Sequence, residues 1–313
     1  MRCLFLINPS SGTKTIQKKL DQLIGQMILK KIINHVDIFY TQKKHDAYHR
    51  VLEIQPHEYD FLVSVGGDGT VNEIISGIVE KEFDIPLAIL PGGTVNDFAN
   101  HLNLPQSTHQ FIQMIENMKI MKVDVGQVND SYFANVIAGG MFSDISFQVT
   151  KAEKERFGPL AYYISGIRQL PSQLSTTLHL KVKTENEEFE EDARLFMITN
   201  TSQVGGFKAI TPHADIQDGQ LDLLIIKKCS TTDMLSLFKD YKLSTHEKSP
   251  FIRYVQAHEI TIECDKNIIY DIDGEEGTHF PIHVTQKIKH SVLLFHKVIL
   301  VDSFFIYKIW AIQ

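Results

Sequence analysis

Residues 1–125 alternate between two hydrophobic rhythms. Short apolar runs, LFLI (4–7), VDIFY (36–40), DFLVSV (60–65) and PLAIL (86–90), are rich in β-branched residues and read as strands. Between them Ile16, Leu20, Leu23, Ile24, Met27 and Ile28, and again Val71, Ile74, Ile75, Ile78 and Val79, recur at the spacing of one helix face. Apolar strands alternating with amphipathic helices predict a parallel sheet covered on both faces. Ligands of such sheets bind beyond the carboxyl ends of the strands.

After residue 125 the pattern changes. TLHLKVK (177–183), ARLFMITN (193–200), LDLLIIKK (221–228), EITIECD (259–265) and FPIHVTQ (280–286) read as strands, several with polar and apolar positions alternating. They predict an antiparallel sandwich or barrel, interrupted by a helix over about residues 146–170 and a shorter one over 231–241. The acidic stretch TENEEFEED (184–192) reads as a solvated loop or hairpin. The expected fold is therefore α/β, with a parallel-sheet domain over 1–125 and a β-rich sandwich domain over 126–296. A hydrophobic tail over 297–313 either packs on the first domain or lies at a membrane interface. The 313-residue length suits two domains.

Composition narrows the function classes. The net charge of -7 argues against bulk electrostatic binding to nucleic acid. Cys3, Cys229 and Cys264 are odd in number and far apart, as expected of reduced thiols in a cytosolic protein. The apolar run at the start is too short for a signal peptide, and no stretch reaches the ~18 apolar residues of a membrane-spanning helix.

The candidate chemistry lies in three glycine-bearing turns, each after a predicted parallel strand: NPSSG (8–12), GGDGTVNE (66–73) and PGGTVNDFA (91–99). All three fall on one sheet edge and open into helices, so free N–H groups and helix dipoles converge on one crevice. Ser10, Ser11, Thr70 and Thr94 add hydroxyls. One such turn is as well explained by tight packing; three on one edge point to phosphate binding. GxxxxGK[ST] is absent, and Asn72 stands where GxGxxG needs its third glycine, so neither a P-loop nor a dinucleotide site is expected. Asn72 and Glu73 open the helix after the second turn, where capping and ligand contact are both open to them.

In this order the three turns resemble the catalytic domain of diacylglycerol kinases and related bacterial lipid kinases. More distantly they resemble NAD kinases and phosphofructokinases, which share the GGDGT turn. KERFGPLAYYISGIRQL (154–170), DIQDGQLDLLII (215–226) and YDIDGEEG (270–277) extend the resemblance to that family's second domain. It implies a nucleotide-binding first domain with ATP and Mg²⁺ as cofactors. Gly66, Gly67, Asp68, Gly69 and Thr70 would then bind ATP phosphates and Mg²⁺. Asn8, Pro9, Ser10, Ser11, Gly12 and Thr94 would line the nucleotide site, with Thr41 nearby and Asn72 and Glu73 closing the turn.

From the second domain the resemblance implies Asp273 as general base for the acceptor hydroxyl and Glu275 close to the nucleotide or metal. By itself, Asp273-Gly274 is a hairpin signal. A carboxylate of ordinary pKa, ~3.9, is a feeble base, which a loose phosphoryl-transfer transition state tolerates. Asp215, Asp218 and the carbonyl of Gln220 would hold a structural Mg²⁺, although the residues alone also read as a solvated Asp-Gly turn. Many family members double the aspartate before this glycine; Gln217 stands there instead, which lowers the charge available.

The activity so implied is transfer of the γ-phosphate of ATP to the hydroxyl of a lipid such as diacylglycerol, yielding phosphatidic acid in phospholipid metabolism. The implied partners are ATP and a lipid at the membrane surface. The implied location is the cytoplasm, with peripheral association at the inner face of the membrane. Oligomeric state is left open, a homodimer included. Lys151, Lys154 and Arg156 precede Phe157, Leu160, Tyr162, Tyr163, Ile164 and Ile167 in a pattern that suits a core helix or a membrane-facing one. The rival readings are an NAD kinase-like or other soluble-acceptor kinase, and a nucleotide-responsive membrane-binding module without catalysis.

Overall fold

The computed structural model describes residues 1–11, 15–117, 119–141, 177–286 and 292–295. Strands β1 (Arg2–Ile7), β2 (His35–Tyr40), β3 (Phe61–Gly66) and β4 (Leu87–Pro91) are parallel, as their apolar runs predict. With β5 (Ile120–Val123) and β17 (Val292–Phe295) they form a sheet of order β2-β1-β3-β4-β17-β5. The sequence pattern had left 292–295 with the second domain. Instead this strand crosses back between β4 and β5, parallel to the first and antiparallel to the second. Its continuous apolar run VLLF is the pattern of a strand with neighbours on both sides.

Helices α1 (Thr15–Leu29), α2 (Asp46–Glu53), α3 (Asp68–Glu80), α4 (Asp97–His101) and α5 (Thr108–Glu116) accompany the sheet. Leu20, Leu23 and Met27 of α1 are buried, as are Val71, Ile74, Ile75 and Ile78 of α3. They pack with Phe5, Phe61, Val63, Ile89 and Phe111 into one core. Burying each large side chain of this kind stabilises by about 1.5–3 kcal/mol. Gly77 lets α2 approach α3: a Cβ there would stand 2.9 Å from Val51 Cβ and 3.1 Å from the Tyr48 carbonyl.

Among the described residues the second half is a separate, antiparallel sheet of eleven strands. They are β6 (Gly126–Val128), β7 (Ser131–Phe133), β8 (Val136–Gly140), β9 (Leu178–Thr184), β10 (Glu188–Thr199), β11 (Leu221–Lys227), β12 (Ile252–Ala257), β13 (Glu259–Cys264), β14 (Asp271–Ile272), β15 (Glu275–Glu276) and β16 (Ile282–Gln286). The order is β15-β14-β8-β10-β9-β13-β16-β6-β7, with β11 beside β10 and β12 beside β11. Alternation holds where it was read: Leu178, Leu180, Val182 and Thr184 of β9 are buried, while the residues between them are not. The acidic stretch is a hairpin, its second half forming the start of β10.

Helix α6 (Thr231–Lys242) begins at a capping box. Ser230 Oγ accepts the Asp233 N–H at 3.2 Å, and the Asp233 carboxylate accepts the Ser230 N–H at 2.9 Å. The helix predicted over 146–170, with Lys151, Lys154 and Arg156, and the tail 297–313 lie outside the described residues. Among the described residues no helix is long and apolar enough to cross a membrane. All three cysteines are free, and burial pushes the Cys3 thiol up to about 12, which keeps it unreactive.

The two sheets meet along residues 97–136 and 200–220. Asp124 N–H donates to the Ile216 carbonyl at 2.7 Å, and Asn200 Nδ2 donates to the carbonyls of Asp124 and Ala134 at 2.9 and 3.0 Å. His101 Nδ1 and Ser202 Oγ are 2.9 Å apart, and Gly206 N–H donates to Asp97 Oδ1 at 2.9 Å. Helix α4, after β4, is therefore held against the loop that follows β10.

Candidate active site

The site is built first from the turn after β3. The first N–H groups of a helix have no intrahelical acceptor, and Gly67, which precedes α3, has no side chain to cap those of Asp68 and Gly69. The glycines of this turn do different jobs. A Cβ on Gly66 would fall 2.4 Å from Thr70 Oγ1, and one on Gly93 would fall 2.6 Å from Gly67 Cα. The second and third glycine turns thus touch backbone to backbone. Gly69 is the open one, its nearest neighbour being Glu275 Oε1 at 3.8 Å from a Cβ placed there.

The turn after β1 folds on Asn8. Its Oδ1 accepts the Ser10 N–H at 3.0 Å and hydroxyl at 2.8 Å, its carbonyl accepts the Ser11 hydroxyl at 2.8 Å, and its Nδ2 donates to Thr70 Oγ1 at 3.3 Å. The first and second turns are joined in this way.

Between them lies a cleft of about 380 Å³ lined by Asn8, Ser10, Ser11, Thr41, Gln42, Lys43, Lys44, Gly67, Gly69, Thr70, Glu73 and Glu275. Most of the expected nucleotide-site residues are among these. Pro9, Gly66, Asp68, Asn72 and Thr94 are not, and Gly12 lies outside the described residues. Pro9 and Thr94 face outward, Gly66 is buried, and Asn72 Oδ1 is buried without a hydrogen-bond partner.

Gln42, Lys43 and Lys44 were missed. Their signal is two lysines directly after Thr41, at the carboxyl end of a parallel strand.

Behind the cleft the charge of Asp68 acts on two further carboxylates, Asp97 and Asp273. Asp68 Oδ1 accepts the Phe98 N–H at 3.2 Å, so this side chain caps the start of α4. Burial raises its pKa, against the lowering effect of the amides around it. Asp97 is pushed up to about 6 by burial and then by the like charge of Asp68. Asp273 comes from the other sheet. With φ of 50 it forms, together with Gly274 at φ 87, the left-handed pair of a type I′ turn between β14 and β15.

The Asp273 carboxylate is buried and accepts the N–H groups of Ala134 at 2.6 Å, Val136 at 2.7 Å and Asn135 at 3.0 Å. Burial drives its pKa up to about 7 despite these amides, and the charge of Asp68 adds to the rise. The same hairpin delivers Glu275 to the cleft, where its carboxylate pairs with the Lys44 ammonium.

Asp215 and Asp218 sit on the loop before β11. Each closes a local turn, Asp215 Oδ1 accepting the Gln217 N–H at 3.0 Å and Asp218 Oδ1 the Gln220 N–H at 2.8 Å. Asp124 Oδ2 accepts the Gly219 N–H at 2.9 Å, and its pKa is raised by burial and further by Asp218 and Asp215. Gln217 Nε2 donates to the Lys122 carbonyl at 2.7 Å, binding this loop to β5. Among the described residues no group of three or more His, Cys, Asp or Glu side chains is arranged to hold a metal. The expected set needs only two carboxylates and a carbonyl. Oxygen donors with like-charge strain suit a hard cation that keeps part of its water.

Family comparison agrees with this arrangement. A diacylglycerol kinase catalytic domain model matches residues 2–128, and a model described as a YegS C-terminal NAD kinase beta sandwich-like domain matches 135–294. A diacylglycerol kinase of Staphylococcus saprophyticus is 31% identical over 280 residues, covering 90% of each chain. One from Staphylococcus epidermidis is 31% identical over 290 residues, covering 92% of this chain and 90% of its own. A crystal structure of a diacylglycerol kinase from Bacillus anthracis superposes with a TM-score of 0.76 at 26% identity, covering 96% of this chain and 98% of that one. With both halves of the chain matched and a second-sheet hairpin lining the same cleft as the glycine turns, the chain belongs to the diacylglycerol kinase family.

Proposed function

We propose that this protein is an ATP-dependent lipid kinase that transfers the γ-phosphate of ATP to the hydroxyl of a lipid such as diacylglycerol, yielding phosphatidic acid. The observation that carries this reading is that Glu275, from a hairpin of the second sheet, lines the same cleft as Ser10, Gly69 and Thr70 at the carboxyl edge of the first. Nucleotide phosphates would enter over the uncapped N–H groups of α3, where the helix dipole favours negative charge. The Ser10, Ser11 and Thr70 hydroxyls would complete the cradle.

Mg²⁺, when bound, supplies neutralisation of charge on the transferring phosphoryl group. Asp68 is the side chain beside which a cation would relieve repulsion felt by both Asp97 and Asp273. Asp215, Asp218 and the Gln220 carbonyl would hold a second, structural ion, with water filling its shell.

Asp273 would take the proton of the acceptor hydroxyl. Three backbone N–H groups orient this carboxylate, that of Asn135 reaching both of its oxygens. A pKa of about 7 suits proton transfer at neutral pH far better than the ordinary 3.8. The sign follows. Asp273 is protonated below about 7 and ionised above it, so kcat/KM rises with pH through that value and then levels. A profile that is flat between pH 5 and 8 would exclude Asp273 as the base.

The test of function incubates the full chain with ATP, Mg²⁺ and vesicles carrying diacylglycerol, sphingosine or phosphatidylglycerol, with NAD as a soluble acceptor. Phosphate is expected on diacylglycerol, lost on chelation and restored by Mg²⁺. Phosphate on NAD alone would refute the lipid reading. Flotation with vesicles but no product from any acceptor would favour a binding module.

A further inference from the structure

The loop between β2 and α2 is held from two sides. Asp46 Oδ2 accepts the N–H groups of Gln42 at 2.7 Å and Lys43 at 2.9 Å. From α3, Glu73 Oε1 accepts the His45 N–H at 2.8 Å and Oε2 the Ala47 N–H at 3.1 Å. Glu73 is thus spent on backbone amides, although it lies at the cleft wall and ends the motif GGDGTVNE. The helix that opens the phosphate turn also fixes the loop that carries the lysines.

Lys44 projects from that loop into the cleft, where its ammonium pairs with Glu275. The two side chains are 51% and 41% exposed, so water screens the pair and it contributes little to stability. A phosphate oxygen is a stronger partner for an ammonium than a half-exposed carboxylate. A triphosphate entering this cleft also meets the Glu275 charge as an opponent, unless Lys44 moves between them.

Resting on the nucleotide reading above, we infer that Lys44 is a phosphate-binding residue that exchanges partners, Glu275 before the nucleotide enters and its terminal phosphates afterwards. Glu73 is the positioning residue of this exchange, because it sets the loop from which Lys44 reaches. The exchange confers preference for a triphosphate over a monophosphate, since AMP brings no terminal phosphates to take the ammonium. It also frees the Glu275 carboxylate only when the cleft is charged with nucleotide.

Titration of the full chain with ATP and with AMP, at low salt and without divalent metal, reads the protein's own contacts. Lys44→Met weakens ATP on the order of tenfold or more and leaves AMP nearly unchanged, while Lys44→Arg retains ATP binding. Glu275→Gln tightens ATP more when Lys44 is present, where it also releases the ammonium, than in the Lys44→Met background, where it relieves repulsion alone. Glu73→Gln weakens ATP only with Lys44 present. Unaltered ATP affinity in Lys44→Met would overturn the inference. So would equal tightening by Glu275→Gln in both backgrounds, which marks plain repulsion without exchange. A wild-type chain that melts cooperatively yet binds no ATP would instead remove the nucleotide reading itself.

Discussion

Asp273→Asn lowers kcat by about 10²–10⁴-fold, the range for loss of a positioned general base, while ATP still binds. The two roles of this residue make the measurement demanding. Asn keeps the shape but offers one acceptor oxygen, so its amide group would confront an N–H of Ala134 or Val136. Leaving such a buried donor unpaired costs about 1–3 kcal/mol, and some loss of melting temperature accompanies the loss of turnover. Two readouts separate chemistry from structure. ATP affinity stays within a few fold of wild type, because the cleft lining comes from Glu275 and the first sheet, not from Asp273. The residual rate also loses its rise with pH near 7, which a purely structural role would leave in place. Turnover equal to wild type would remove Asp273 from the reaction.

Gly93→Ala is expected to be the most damaging single methyl group in the first domain's turns. Its Cβ would lie 2.6 Å from Gly67 Cα and 2.9 Å from Asn96 Oδ1. The first neighbour is backbone and cannot swing aside. The second is engaged, since Asn96 Oδ1 accepts the Gly93 N–H at 2.8 Å and Asn96 Nδ2 donates to the Gly93 carbonyl at 2.9 Å. Either the second and third turns part or the Asn96 ring opens. Overpacking of this kind costs about 1–3 kcal/mol, or roughly 2–4 °C of melting temperature per kcal/mol, and it displaces the amides that face the cleft. Loss of ATP binding therefore accompanies the lowered melting temperature. Gly69→Ala is the contrast: its nearest contact is 3.8 Å from Glu275, so it melts like wild type and affects only what enters the cleft. Identical behaviour of the two variants would disprove the backbone contact as the reason for Gly93.

Local pattern carried most of the fold. The strands at 4–7, 60–65 and 86–90 and the helix faces of α1 and α3 were legible because burial on both sides of a parallel sheet leaves a continuous apolar run, and 3.6 residues per turn leaves its own period. The Asp273-Gly274 turn was legible for a similar reason, since a two-residue hairpin demands positive φ at both positions. Residues 292–295 fell within the span expected of the second domain, because a run of four apolar residues states that a strand exists and not which sheet receives it.

At the site the division is sharper. GGDGTVNE reads as a phosphate turn, yet only the packed molecule separates Gly66, buried against Thr70, from Gly67 and Gly69, which border the cleft, Gly67 also touching Gly93. Asp68 was read as facing the nucleotide, and Glu73 as either capping its helix or contacting the ligand. In three dimensions Asp68 caps α4 and Glu73 clamps the loop of Lys44, because backbone amides of neighbouring segments reach these carboxylates.

Sequence alone determined the two kinds of sheet, the edge on which the glycine turns gather and the Asp-Gly hairpin, since periodicity and turn chemistry are local. Tertiary structure decided that Asp273 is buried with a pKa near 7, that Lys44 meets Glu275 and that the last strand returns to the first sheet. Desolvation, ion pairing and strand partnership all depend on groups far apart in the chain, and no local pattern records them.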